Sequence, residues 1–319
     1  MIRTVLGDIR ASDLGATNYH EHLFQVSPLL IGDELTDEAS SQAEAASLRD
    51  SGFAAMVDAT PIGLGRDPEG LARISAATGL TIVATTGAHR DAHYASDHPL
   101  RSLSVEARAA RFTDDVERGM PPTDDVTPTA AHPATALTPD GCPVRAGLIK
   151  AGIDYWAISS FERETLDAVA LAHGRTARPV MVHLEFCTAA HEVLDILSAH
   201  GVNSDRVVLA HADRVIDVGL HLSLVERGAW LGYDGMARTK QFSDEQLLGL
   251  TEQVARRGGA HRILLGGDVA RASRYIAYGG MPGLAYLGDR YLPRLRELVG
   301  DETVQQLTLG NPAKFLNVH

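Results

Sequence analysis

Residues 179–211 read PVMVHLEFCTAAHEVLDILSAHGVNSDRVVLAH. A short apolar run, Val180–His183, ends in histidine. A capped amphipathic segment follows and stops at Gly201, and a second apolar run, Val207–His211, again ends in histidine. Short apolar runs separated by a helix-length segment mark strand–helix–strand units that build a parallel sheet. The alternation extends in both directions. Strands are predicted at Asn18–His22, Ala54–Asp58, Thr81–Thr85 and Arg145–Ala151 before this unit, and at Ala229–Tyr233 and Ile263–Gly267 after it. Asp67-Pro68 opens one intervening helix as N-cap and first-turn proline, and Gly79 closes it. Ser159 with Glu162 and Ser243 with Gln246 form capping-box patterns. Gly174 and Gly258 are placed as helix-terminating glycines, and Asn311-Pro312 starts a final short helix. The expected fold is therefore α/β, a (β/α)8 TIM barrel forming a single domain over 1–319. An open doubly wound sheet is the alternative, but no G-x-G-x-x-G follows an early strand.

Composition agrees with a globular enzyme. The 319 residues are 45% hydrophobic and carry a formal net charge of −12, which argues against nucleic-acid or anionic-membrane partners. A small-molecule substrate is the expected partner, with a homodimer allowed. The opening MIRTVLGDIRASDLG holds no apolar run of signal-peptide length, and Cys142 and Cys187 are too few for a disulfide framework. A cytoplasmic location is expected. Pro121–Pro143, rich in Pro, Thr, Ala and Asp, reads as a long loop. Because it follows a helix and precedes a strand, it is expected on the face opposite the active site.

The chemistry gathers at strand ends. His20 and His22, two residues apart, share a face of the first predicted strand. His183, His211 and Asp268 close three further apolar runs. These are metal-ligand side chains at the end of the barrel where active sites are built. Lys150 ends the run Ala146-Gly147-Leu148-Ile149. Burial lowers a lysine pKa, and a neutral amine can add carbon dioxide to become a carbamate whose two oxygens bridge two cations.

Tyr19-His20-Glu21-His22, Arg145 to Lys150, the two histidine strand ends, Gly266-Gly267-Asp268 and the tail Asn311-Pro312-Ala313-Lys314-Phe315-Leu316 together resemble the phosphotriesterase-related family of the amidohydrolase superfamily. The resemblance implies two divalent metal ions, usually Zn2+. His20, His22 and Asp268 would hold one ion and His183 and His211 the other. Carboxylated Lys150 and a hydroxide would bridge the pair. It also implies that the hydroxide attacks an ester-like bond while Asp268 takes its proton, so that Asp268 and Lys150 are the catalytic residues.

The metal site sets the reaction class and the loops set the substrate. Arg238 and Lys240 follow the seventh predicted strand, and Arg271, Arg274 and Tyr275 follow the eighth. Barrels often bind phosphate on these two loops. The pattern resembles members that open phosphorylated sugar lactones. Family members acting on phosphotriesters carry a histidine after the aspartate that ends the seventh strand and an aspartate three residues beyond the sixth-strand histidine. Here those positions are Gly235 and Arg214. A phosphotriesterase or other carboxylic-ester hydrolase is the second reading, and a non-catalytic small-molecule-binding barrel the third. His89, Arg90, His93, Tyr94 and His98 fall in a loop, Gly87–Pro99, read as mobile surface.

Overall fold

A computed structural model describes residues 1–124, 134–238 and 240–318. An antiparallel hairpin, β1 (Ile2–Thr4) and β2 (Gly7–Ile9), precedes eight parallel strands. These are β3 (Thr17–Glu21), β4 (Ala55–Asp58), β5 (Thr81–Gly87), β6 (Ala146–Ile153), β7 (Val180–Leu184), β8 (Val207–Ala210), β9 (Trp230–Tyr233) and β10 (Ile263–Leu265). Each strand pairs with its sequence neighbours, in the order β10 to β3. The two outer strands come together where Asp268 N donates to His20 O at 2.9 Å, so the sheet is nearly closed into a barrel. All eight predicted strands are found. The hairpin is not anticipated, because two three-residue strands are too short to show a period.

The core has two layers, as the alternation of a barrel strand requires. Leu148, Met181, Val208, Trp230 and Leu264 point inward and meet Ile2, Phe315 and Leu316, which plug the N-terminal end. The outward-facing set packs against the helices. The hairpin seals the same end: Val5 N donates to Ile82 O at 2.9 Å, and Arg3 O lies 2.4 Å from where a Cβ on Gly147 would stand.

Most helix signals work as expected. Asp67 accepts from Gly70 N, Gly79 takes φ 68°, and both capping boxes form. Gly174 does not stop its helix, which runs to Thr176 and ends at Ala177 with φ 56°. His173 holds the extra turn, with Nδ1 bonded to Arg178 O at 2.7 Å. The segment 121–143 also departs from expectation. Asp124 accepts from Gly65 N, Arg66 N and Arg66 Nε, and Leu137 N donates to Glu69. Gly65 belongs to the loop after β4, on the catalytic side, so the segment climbs the flank of the barrel instead of staying on the far face. Residues 125–133 of this segment lie outside the described residues. Among the described residues, no helix is long and apolar enough to cross a membrane.

Gly87 ties the fold to the site. Its φ is +102°, and a Cβ there would lie 2.0 Å from Lys150 O. Gly87→Ala must therefore move β6 at Lys150. We expect a loss of more than about 2 kcal/mol, read from denaturant unfolding. Wild-type stability in this variant would show that the strand contact yields easily.

Candidate active site

The C-terminal mouth of the barrel holds a cavity of about 300 Å³. His20, His22, Lys150, His183, His211 and Asp268 all line it. They arrive by different local routes. Leu148 and Met181 face inward, so Lys150 and His183, two residues on, do too. His211 has the wrong parity, because Val208 and Ala210 face inward. A φ of 62° at His211 breaks the strand and turns the ring into the mouth. Asp268 likewise takes φ 42°. In β3 a register shift between Asn18 and Glu21 resets the alternation after inward-facing Tyr19. His20 and His22 then both reach Asp268, with Nε2 atoms 3.8 and 3.5 Å from Asp268 Oδ1.

The hydrogen-bond partners settle which nitrogen of each ring faces the cavity. Asp234, buried and held below the ordinary carboxylate range by His211 and His20 against the opposing effect of burial, accepts from His20 Nδ1 at 3.0 Å and from His211 Nδ1 at 2.6 Å. The Thr60 hydroxyl donates to Phe24 O at 2.9 Å, so its oxygen accepts from His22 Nδ1 at 2.7 Å. Glu185 accepts from His183 Nε2 at 2.9 Å. Each imidazole thus spends its N–H on a supporting group and turns a lone pair inward. Burial pushes His22 down to about 4, His211 down to about 3 and His183 well below its usual value, so all three rings are neutral at neutral pH.

This arrangement fits a cation. The lone pairs on His183 Nδ1 and His211 Nε2 face each other at 2.8 Å. Two acceptors at that distance repel, and a metal ion between them removes the conflict. The ligand atoms of His20, His22 and Asp268 lie within 4.8 Å of one another. A second close group, His20, His211 and Asp234, is accounted for by its own hydrogen bonds. Lys150 is 1% exposed, and its Nζ donates to Ala59 O at 2.8 Å. Burial lowers its pKa to about 8, against the pull of Asp268, Asp58 and Asp234. Burial opposes ionisation of Asp268, but the Arg238 guanidinium holds it well below the usual carboxylate value. Arg238 donates to both its side chain and its backbone carbonyl.

The basic residues expected to meet substrate divide. Arg238 and Arg271 line the cavity. Lys240 is exposed and lies off the wall. Arg274 spends its donors on the carbonyls of Met236, Asp268 and Val269. Tyr275 is fully buried and donates to His22 O. The loop read as mobile surface instead contributes cavity wall. His89 and His93 are buried there with ring centroids 3.8 Å apart, and His89 lies 4.4 Å from His183. Arg90 and Arg214 also line the cavity and share Glu185, each at 3.2 Å. Glu185 was legible in principle, two residues beyond His183 and just past the end of β7. Thr60 carries no sequence signal, because its role depends on a contact between β3 and the loop after β4.

Fold and site together define a hydrolase acting on ester bonds. The chain belongs to the phosphotriesterase family, whose family model matches residues 1–130 and 136–316. It is 29% identical to the phosphotriesterase homology protein of Escherichia coli (strain K12), over 79% of this chain and 80% of that one. It is 28% identical to a phospho-furanose lactonase of Mycoplasmopsis synoviae (strain 53), over 98% and 91%. The crystal structure of the lactonase Lmo2620 from Listeria monocytogenes superposes with a TM-score of 0.87 at 27% identity, covering 99% of this chain and 98% of that one. Enzymes of this family are metal-dependent, and the His and Asp groups here are of the type they use.

Asp234 provides the test of the ring geometry. Asp234→Asn places an amide donor against at least one imidazole N–H and favours the wrong tautomer. Affinity for added zinc should fall about 10–100-fold in a chelator competition, the usual scale for losing such a partner. Unchanged affinity in folded protein would show that Asp234 does not orient the rings.

Proposed function

We propose that this chain opens the ring of a phosphorylated sugar lactone. The observation that carries this reading is one cavity in which six metal-ligand or carbamate-forming groups meet the guanidinium groups of Arg238 and Arg271. Similarity to a protein named phospho-furanose lactonase supports the same substrate class.

His20, His22 and Asp268 would hold one divalent ion, and His183 and His211 a second, with carboxylated Lys150 serving both. Zinc suits this nitrogen and oxygen donor set. Bound there, the ions supply Lewis acidity and lower the pKa of a bound water. The rest falls to the side chains. Asp268 accepts the proton released as water adds to the lactone carbonyl carbon. It returns that proton to the ring oxygen as the C–O bond breaks, leaving a carboxylic acid and an alcohol. Arg238 keeps Asp268 ionised for the first of these steps. Arg271, its side chain 43% exposed and only 4.0 Å from its nearest acid, Asp33, has donors free for a phosphate. Arg274 and Tyr275 hold the loop that carries it.

Phosphotriester hydrolysis is the weaker reading. A side chain at Gly235 would meet Asp213 Oδ2 at 3.0 Å, so a histidine relay there needs more room than this backbone leaves.

Three experiments test the proposal. Protein purified without chelator should contain about two metal ions per chain. Lys150→Ala should lose metal and activity together, and full activity in that variant would remove Lys150 from the site. Substrate class is tested by a double cycle of wild type and Arg271→Gln on a furanose lactone with and without phosphate. One charge-assisted contact contributes roughly 1.5–3 kcal/mol, so kcat/KM should fall about 10–10²-fold more on the phosphorylated substrate. Equal losses on both would show that Arg271 does not read phosphate. A wild-type preference for plain lactones or phosphotriesters would overturn the substrate assignment while leaving the hydrolase intact.

A further inference from the structure

The N-terminal end of the barrel, away from the catalytic mouth, carries a further cleft of about 390 Å³. Residues preceding or starting β7 to β10 and the end of the chain form its walls. Among the described residues on the wall, Arg206, Arg262 and Lys314 supply three cations, against the one acidic residue Asp205. This excess of positive charge stands out on a chain whose net charge is −12. The donors are also underused. Among the described residues, Arg262 Nε and Nη1 are buried without hydrogen-bond partners. The Arg262 guanidinium lies 4.8 Å over the Trp230 ring, which fixes its plane. Arg206 makes one long bond, Nη2 to Ala177 O at 3.4 Å. Lys314 is exposed at the rim. Next to Ala177, Arg178 is buried, and its Nε and Nη1 also lack partners. Burial, with Arg3, Arg145 and Arg206 nearby, pushes Arg178 down to about 10 against the pull of Asp8. A guanidinium with so few internal partners keeps its charge uncompensated, and an anion in the cleft meets that charge through the outward-facing donors.

We propose that this cleft is a binding site for a small phosphate-bearing anion, separate from the catalytic cavity. Arg206 and Arg262 grip the phosphate, and Lys314 adds charge at the entrance. The shared chemistry is a phosphate dianion, either free or on a small organic ester. Ala177 and the Val318 side chain give an ester's carbon skeleton an apolar wall.

The molecule carries its own reporter. Its two tryptophans are Trp156, exposed near the catalytic mouth, and Trp230 beneath Arg262. Trp156→Phe leaves Trp230 as the sole tryptophan. We expect a saturable change in its emission when the metal-loaded protein is titrated at constant ionic strength with inorganic phosphate or glucose 6-phosphate. Tighter binding of the sugar phosphate would assign the site to an ester, and equal binding to free phosphate. Added Arg206→Gln, which leaves the Arg262–Trp230 stack in place, should weaken binding about tenfold or more, and Arg262→Gln should do the same. Arg271→Gln, in the catalytic cavity, should leave the titration unchanged. The proposal is overturned if no saturable change occurs, if the response survives Arg206→Gln in folded protein, or if it disappears with Arg271→Gln.

Discussion

Asp234 is a carboxylate at 1% exposure placed between two imidazoles from opposite sides of the barrel seam. One oxygen takes His20 from β3, and the other takes His211 from the turn after β8. Tyr19 donates to the same group. Three donors make a buried negative charge sustainable, where an unpaired one would be expelled or protonated. Because an ionised carboxylate only accepts, both histidines must carry their proton on Nδ1. Their Nε2 lone pairs are then committed to the cavity. One buried charge therefore orients a ligand for each of the two proposed metal positions.

The same logic spreads outward. Thr60 fixes His22 through a hydroxyl already committed to Phe24 O, and Glu185 fixes His183. Glu185 also gathers Arg90 and Arg214. Arg214 Nη2 lies 3.7 Å from Asp268 Oδ2, where Arg238 is also bound. An acidic chain thus concentrates guanidinium groups around its cavity. Closely packed carboxylates and neutral imidazoles would otherwise present a basin of lone pairs that repels anionic substrates. The arginines reverse that field while holding Asp268 ionised.

Much of this was legible in the sequence, for identifiable reasons. Most of the strands show because they are buried and read as short, mainly apolar runs, as β4, β7 and β8 do. The residues lining the cavity show because a polar group that ends such a run sits at the mouth. Pro121–Pro143 misleads on placement, since connection order fixes where a loop starts and ends but not how far it travels. The basic loop residues mislead in part because a count of cations does not say which are spent on backbone carbonyls, as Arg274 is.

By itself, the sequence determined the eight strand–helix units, the barrel they close into, and the identity of the six side chains at its mouth. These follow from local periodicity and from residue type at strand ends. Only the tertiary structure decided how those side chains meet. His211 faces the cavity through a left-handed turn against its strand parity, and His20 through a register shift in β3. Asp234, Thr60 and Glu185 acquire their roles from neighbours brought close by barrel closure and by loop packing. Hydrogen-bond direction depends on a partner in space, and no spacing along a chain encodes it.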